Sequence, residues 1–265
     1  MNRLLLCPPD HYAIRYEINP WMNRALGVDQ ALALAQWEHL RDMLLSLGCE
    51  VEVMTPQPGW PDMVFTANAG LATGRRFIRA NFRHAERAGE APWFEQWFTE
   101  HGFDVSRLPH EIAFEGEGDA LCCDGLLFCG HAFRTDQAAH VMLGDLLGCE
   151  VISLKLTDAH FYHLDTCFCP LGAGAVVWFP DAFDDASRRA VCERIADRIE
   201  VSREEASRFA CNAIVLGRDV VLPEGCPLLC AALHDRGFKT HPLPMSEFIK
   251  AGGACKCLAL LLPPR

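Results

Sequence analysis

The sequence predicts an α/β ring of five similar units, a five-bladed α/β propeller forming one domain over residues 1–265. Three observations lead there. Amphipathic helix, glycine stop and short strand recur along the chain, with stop glycines at 48, 102, 148 and 237. The spacing leaves room for five copies, the widest gap holding one more. No terminal copy carries the polar cap that a linear solenoid needs, so closure into a ring is preferred over that alternative. No linker or low-complexity stretch divides the chain.

Taken in order, residues 31–47 show helical apolar spacing, Gly48 stops the helix, and 49–54 read as a strand. The pattern repeats as 93–101 with Gly102 and 103–108, and as 137–147 with Gly148 and 149–154. A fourth copy reads as helix over 184–199 and strand over 200–202, without its glycine. The fifth is 227–236, Gly237 and 238–243. Each unit then continues into a polar-tipped strand (64–68, 112–115, 161–165 and 255–257) and a further strand (126–129, 175–179, 214–222 and 258–262). About 50 residues cannot bury a helix face alone, so the copies must pack on one another.

Composition narrows the function. Half the residues are hydrophobic and 22% are charged, which excludes a disordered chain. The net charge of −11 argues against a nucleic-acid partner, since phosphate backbones select basic proteins. No apolar run is long enough to span a membrane, and the N-terminal run is too short for a signal peptide. Fourteen cysteines in a chain of this length read as the reduced thiols of a cytoplasmic protein, most of them small buried hydrophobes.

In a ring, the polar tips of the units converge on the axis. Those tips carry Asp62 and Asn68, Glu115 and Asp119, His163 and Asp165, Asn212, and Cys257. A thiol, an imidazole and several carboxylates suit a nucleophile, an acid/base and a cradle for a cation. Cys257 follows Gly252 and Gly253, and Lys256 beside it would favour the thiolate. Strand alternation would put Cys255 on the same face, as competitor or redox partner. Cys257 could equally be one buried thiol among fourteen. His163 and Asp165 would face one side of a strand, the carboxylate orienting the ring. His160, His163, Cys167 and Cys169 could ligate zinc, but their spacing matches no standard template, and no metal is expected. Arg134, at the opening of the third helix, could clamp a carboxylate.

The motifs YEINPWM (16–22), PDMVFTANAG (61–70), FEGEGD (114–119), FRT (133–135), HLDT (163–166) and GGACKC (252–257) occur together in this order. In that combination the chain resembles the guanidine-modifying (pentein, amidinotransferase) superfamily over nearly its whole length. The resemblance implies the same five-bladed fold. It implies that Cys257 is the nucleophile and His163 the general acid/base, with Glu115 in the catalytic set. It places Asp62, Asn68, Asp165, Arg134, Asn19 and Asp119 with the substrate-binding groups. It implies a small guanidino substrate, no cofactor, and no nucleic-acid or membrane partner. The basic position near Asn81 is contested by Arg79, Arg83 and Arg87. Arginine deiminases and dimethylarginine hydrolases carry a carboxylate where Asn68 stands, whereas arginine dihydrolases have asparagine. The chain is therefore expected to be an arginine dihydrolase giving ornithine, CO2 and ammonia. Citrulline-forming hydrolases and a non-catalytic binding protein of the same fold are the alternatives.

Overall fold

Five long helices each turn a stripe of buried side chains inward, four of them against the strands of their own unit. In the computed structural model, which describes residues 1–264, they are Gln30–Ser46 (α1), Ala91–Glu100 (α2), Gln137–Leu147 (α3), Asp185–Arg194 (α4) and Pro227–Asp235 (α5). In α1 the inward stripe is Ala33, Trp37, Leu40 and Leu44, spaced three or four apart as a helix face requires. Side chains of Asp29 and Asp184 accept from the backbone N–H groups of Leu32 and Ser187, which caps α1 and α4. Gly48, Gly102, Gly148 and Gly237 all have φ between 63° and 80°, the left-handed stop expected of them. The fourth unit differs. Without a glycine, the chain leaves α4 at Arg194 through an extended, buried Ile195, and its strand is Asp197–Glu200 rather than 200–202.

The strands are Arg3–Leu6 (β1), Glu50–Val53 (β2), Gly70–Thr73 (β3), Arg76–Arg79 (β4), Asp104–Arg107 (β5), Ala120–Cys123 (β6), Leu126–His131 (β7) and Val151–Lys155 (β8). They continue as Phe168–Gly172 (β9), Ala175–Trp178 (β10), Asp197–Glu200 (β11), Ile214–Leu216 (β12), Asp219–Pro223 (β13), Lys239–Leu243 (β14) and Leu260–Leu262 (β15). They form five three-stranded sheets in the orders β15-β1-β2, β3-β4-β5, β6-β7-β8, β9-β10-β11 and β12-β13-β14. Every sheet repeats one plan. A central strand pairs antiparallel with one neighbour and parallel with the other, the parallel crossover running through the helix. The first sheet is completed by the last strand: Arg3 pairs with Leu262, Leu4 with Leu261 and Leu5 with Leu260. The two ends of the chain thus join the ring, and the five-bladed propeller is closed.

Four segments expected as polar-tipped strands are not strands. Residues 61–69 form two short 3-10 helices, Pro61–Val64 and Thr66–Ala69, and Gly116–Gly118 and Leu164–Thr166 are likewise 3-10 turns. Residues 255–258 are a turn. Each delivers the chain into a new hairpin near the axis. Such a reversal within a few residues needs a tight turn, which also sends successive side chains in different directions. Strands β3, β6, β9, β12 and β15 line an axial cavity of about 650 Å³, which Glu117, Asp165 and Lys256 also line. Among the described residues, no helix is long and apolar enough to cross a membrane.

Candidate active site

The turns before β3, β6, β9, β12 and β15 bring five sets of polar side chains together, one from each blade. Nearly all are fully buried, so their hydrogen bonds must be met by one another. His163 Nε2 lies 2.9 Å from Glu115 Oε2, which also accepts from Arg134 at 3.1 Å. Glu115 Oε1 accepts from the backbone N–H of Arg83 at 3.1 Å. Burial opposes ionisation of Glu115, but Arg134, His163 and Arg87 outweigh it and hold the carboxyl well below its ordinary range. An ionised carboxylate only accepts, so Nε2 of His163 carries the hydrogen and Nδ1 is the atom turned toward Asn68, 3.5 Å from its Nδ2. Gly118 permits that approach, because a Cβ there would come within 2.4 Å of Asn68 Nδ2.

Asn68 is held from its other end. Arg87 donates to Asn68 Oδ1 at 2.8 Å and to the backbone oxygen of Asp62 at 3.0 Å, while its remaining donors go to Glu90 at 2.8 and 2.9 Å. Arg79 and Arg83 turn away: Arg79 pairs with Glu95 and Arg83 with Asp136. Of the three contested arginines, Arg87 is therefore the one in the site. Burial holds the Asp62 carboxyl above its ordinary value, an effect that Arg87 and Tyr16 reduce without cancelling. Among the described residues, none hydrogen-bonds Asp62 Oδ1 although it is buried.

Asn19, Asp62, Asn68, Arg87, Arg134, Tyr162 and Cys257 line one closed cavity, together with Ile18, Met22, Phe65, Ala251 and Gly253. Its free space is only about 10 Å³, room for about one water molecule. The N-terminal segment covers it. Asn19 Nδ2 donates to Ala251 O at 3.0 Å, Arg134 donates to Ile18 O at 2.9 Å, and the Trp21 indole N–H donates to His160 O at 2.7 Å.

Residues 16–223 match the family model described as N,N-dimethylarginine dimethylhydrolase, eukaryotic. The chain belongs to that family. It is 44% identical to the bifunctional arginine dihydrolase/ornithine cyclodeaminase ArgZ of Synechocystis over 97% of this chain, which spans 37% of that longer protein. It is 38% identical to the N(G),N(G)-dimethylarginine dimethylaminohydrolase of Mycobacterium tuberculosis over 99% of this chain and 86% of that one. Among solved structures, the N-terminal domain of ArgZ, in a variant with asparagine replaced by serine and covalently bound to a reaction intermediate, superposes with a TM-score of 0.96. The identity there is 43%, covering 99% of this chain and 98% of that domain.

Within this dimethylarginine dimethylhydrolase family member, four expectations need correction. Lys256 donates to Glu117 at 2.7 Å, and its charge acts on Cys257 through space, too weakly to offset burial and Asp165. The Cys257 thiol is raised well above its ordinary value, first by burial and then by Asp165. Asp165 does not orient His163; that partner is Glu115. Asp165 instead accepts from Cys257 Sγ at 3.3 Å and lines the axial cavity on the other side of the sulfur, its carboxyl pushed up by burial to about 7. Asp119 does not line the closed cavity either. It accepts from Thr135 at 2.7 Å and the Leu164 N–H at 3.0 Å, bracing the turn that carries His163. Cys255 shares no strand face with Cys257 and packs in the apolar core with Leu258. His160 is exposed and bonded to Asp158, whereas Cys167 is buried. Arg87 and Tyr162 lacked any distinguishing sequence signal. Asn212 stood at the right point of the repeat, and only its type, an amide like Asn68, marked it.

Proposed function

We propose that the chain hydrolyses the guanidino group of arginine through an S-amidino intermediate on Cys257, and goes on to ornithine, CO2 and two ammonia. Asn68 carries this reading: an amide, fixed by Arg87, stands on the cavity wall beside His163 where the family resemblance implies a carboxylate in citrulline-forming members. The similarity to ArgZ over nearly the whole chain supports it.

The reaction follows from the groups present. A guanidinium is a stabilised cation, and the unpartnered Asp62 Oδ1 is a buried acceptor suited to one of its N–H groups. Cys257 rests as a thiol, because burial and Asp165 disfavour its charge. A bound cation beside the sulfur reverses that balance and favours the thiolate. The thiol proton passes to Nδ1 of His163, the thiolate attacks the central carbon, and His163 hands that proton to the departing nitrogen, so ammonia leaves. Water activated by His163 then releases citrulline. Attack of Cys257 on the ureido carbon expels ornithine, and a second water discharges the carbamoyl group as CO2 and ammonia. When the N-terminal segment opens, Arg134 is freed from Ile18 O and can take the α-carboxylate bidentately. We place the protein in the cytoplasm, where its free thiols stay reduced.

A second reading is dimethylarginine hydrolysis to citrulline and dimethylamine, favoured by the family model. Incubation with arginine and with asymmetric dimethylarginine, followed by mass spectrometry, separates the two. Ornithine from arginine is expected; citrulline accumulating without ornithine rejects the dihydrolase. Cys257→Ser should fold normally and lower turnover by several orders of magnitude, and unchanged turnover removes Cys257 as nucleophile.

A further inference from the structure

We propose that Asn212 is a positioning residue that presents the Cys257 sulfur and stabilises it as the thiolate. Asn212 comes from the turn before β12, a different blade from the Cys257 turn, and is completely buried. Its amide has two donor hydrogens and two acceptor sites, and all four are used. Nδ2 donates to Cys257 Sγ at 3.1 Å and to Asp165 O at 3.1 Å. Oδ1 accepts from the backbone N–H of Ala254 at 3.2 Å and of Cys257 at 3.1 Å. The Asn212 backbone oxygen accepts from the Lys256 N–H at 3.3 Å. One side chain thus clamps both ends of the tetrapeptide that carries the nucleophile and also touches the sulfur.

The sulfur lies between unlike neighbours. Asp165 Oδ2 accepts the thiol hydrogen, while Asn212 donates an N–H. A hydrogen bond to an ionised acceptor is roughly twice as strong as one to a neutral acceptor. The Asn212 bond therefore strengthens as the proton leaves, and it remains when the Asp165 bond is lost. The charged and titratable groups around the sulfur are Asp165, then Asp62, Arg87, Arg134 and Tyr162 across the cavity, His163 with Glu115 behind Asn68, and Lys256 with Glu117 beneath. Asn212 is the side-chain amide among them that donates to the sulfur without carrying charge.

The inference rests on Cys257 as nucleophile, but its test does not need arginine as substrate. Alkylation of unliganded enzyme by iodoacetamide, read at the Cys257 peptide by mass spectrometry, gives the pH midpoint of the thiol. Asn212→Asp keeps an acceptor for both N–H groups, so the turn stays clamped, but sets an oxygen against the sulfur. It should move the midpoint upward by about one pH unit, tenfold in thiolate, and lower kcat at least tenfold with KM within about threefold. Asn212→Ala should shift the midpoint in the same direction; if it does not fold, Asn212→Asp and Asn212→Ser carry the measurement. Midpoint and kcat both unchanged in folded Asn212→Asp overturn the proposal. A shifted midpoint with no arginine turnover in the wild type would keep the Asn212 role and reject the substrate.

Discussion

Arg134 illustrates how one residue can serve two demands. Its guanidinium holds Glu115, bonds Ile18 O and lies 4.6 Å over the Tyr162 ring. Removing it takes the bonded guanidinium from the buried Glu115 carboxylate, leaving His163 and the Arg83 N–H, and breaking such a buried pair typically costs about 3–5 kcal/mol. Arg134→Ala should therefore lower kcat as well as raise KM, and reduce the melting temperature by several degrees. A pure KM effect would show that Glu115 finds another partner. Asp165 offers a different test. Its carboxyl is raised by burial from 3.8 to about 7, so the folded protein binds that proton more tightly than the unfolded chain. Ionisation carries no penalty below about pH 4, destabilises the fold progressively as pH rises, and does so fully above about pH 7. Asp165→Asn removes the penalty. The melting temperature of the variant relative to wild type should rise by several degrees between pH 4 and pH 8, and a difference flat with pH would contradict the assignment.

Among the elements, the helices were the most legible in sequence and the site turns the least. Helix stripes such as Ala33, Trp37, Leu40 and Leu44, and a stop glycine in four units out of five, are local signals. The hairpin β6–β7 also had one, the Asp124-Gly125 pair that forms its two-residue loop. The segments holding Asn68, Glu115 and His163 looked like strands because short apolar runs end there in a polar residue. Their 3-10 turns arise from the need to reverse direction at the axis, which only neighbouring blades impose. The N-terminal segment is an element of another sort, a cover pinned by three hydrogen bonds over a space too small for arginine. Trp21→Phe deletes the bond to His160 O. Amide hydrogen exchange over residues 17–25 should then speed up severalfold while the blades stay protected, and unchanged exchange would mean the indole bond does not hold the cover.

For the whole molecule, closure is the decisive feature. The ring is completed by β15 on β1, with Leu260 and Leu5 both fully buried at the joint. Leu260→Ala should destabilise by about 2–5 kcal/mol, as for other large-to-small core changes, and calorimetry should still show one cooperative transition. A loss near zero would place the joint outside the cooperative core. The Cys257 turn immediately precedes β15, so the same closure that stabilises the ring delivers Cys257 to the axis. The sequence by itself determined the repeat, the helix boundaries in four units, the acidic balance and the set of residues at equivalent points, because these are written in local spacing and residue type. Only the tertiary structure decided which arginine faces Asn68, that Asp165 backs the sulfur while Glu115 holds His163, and that Lys256 is spent on Glu117. Those assignments depend on distances between blades some 50 residues apart in the chain, and no local pattern encodes which of several buried partners a charge will meet.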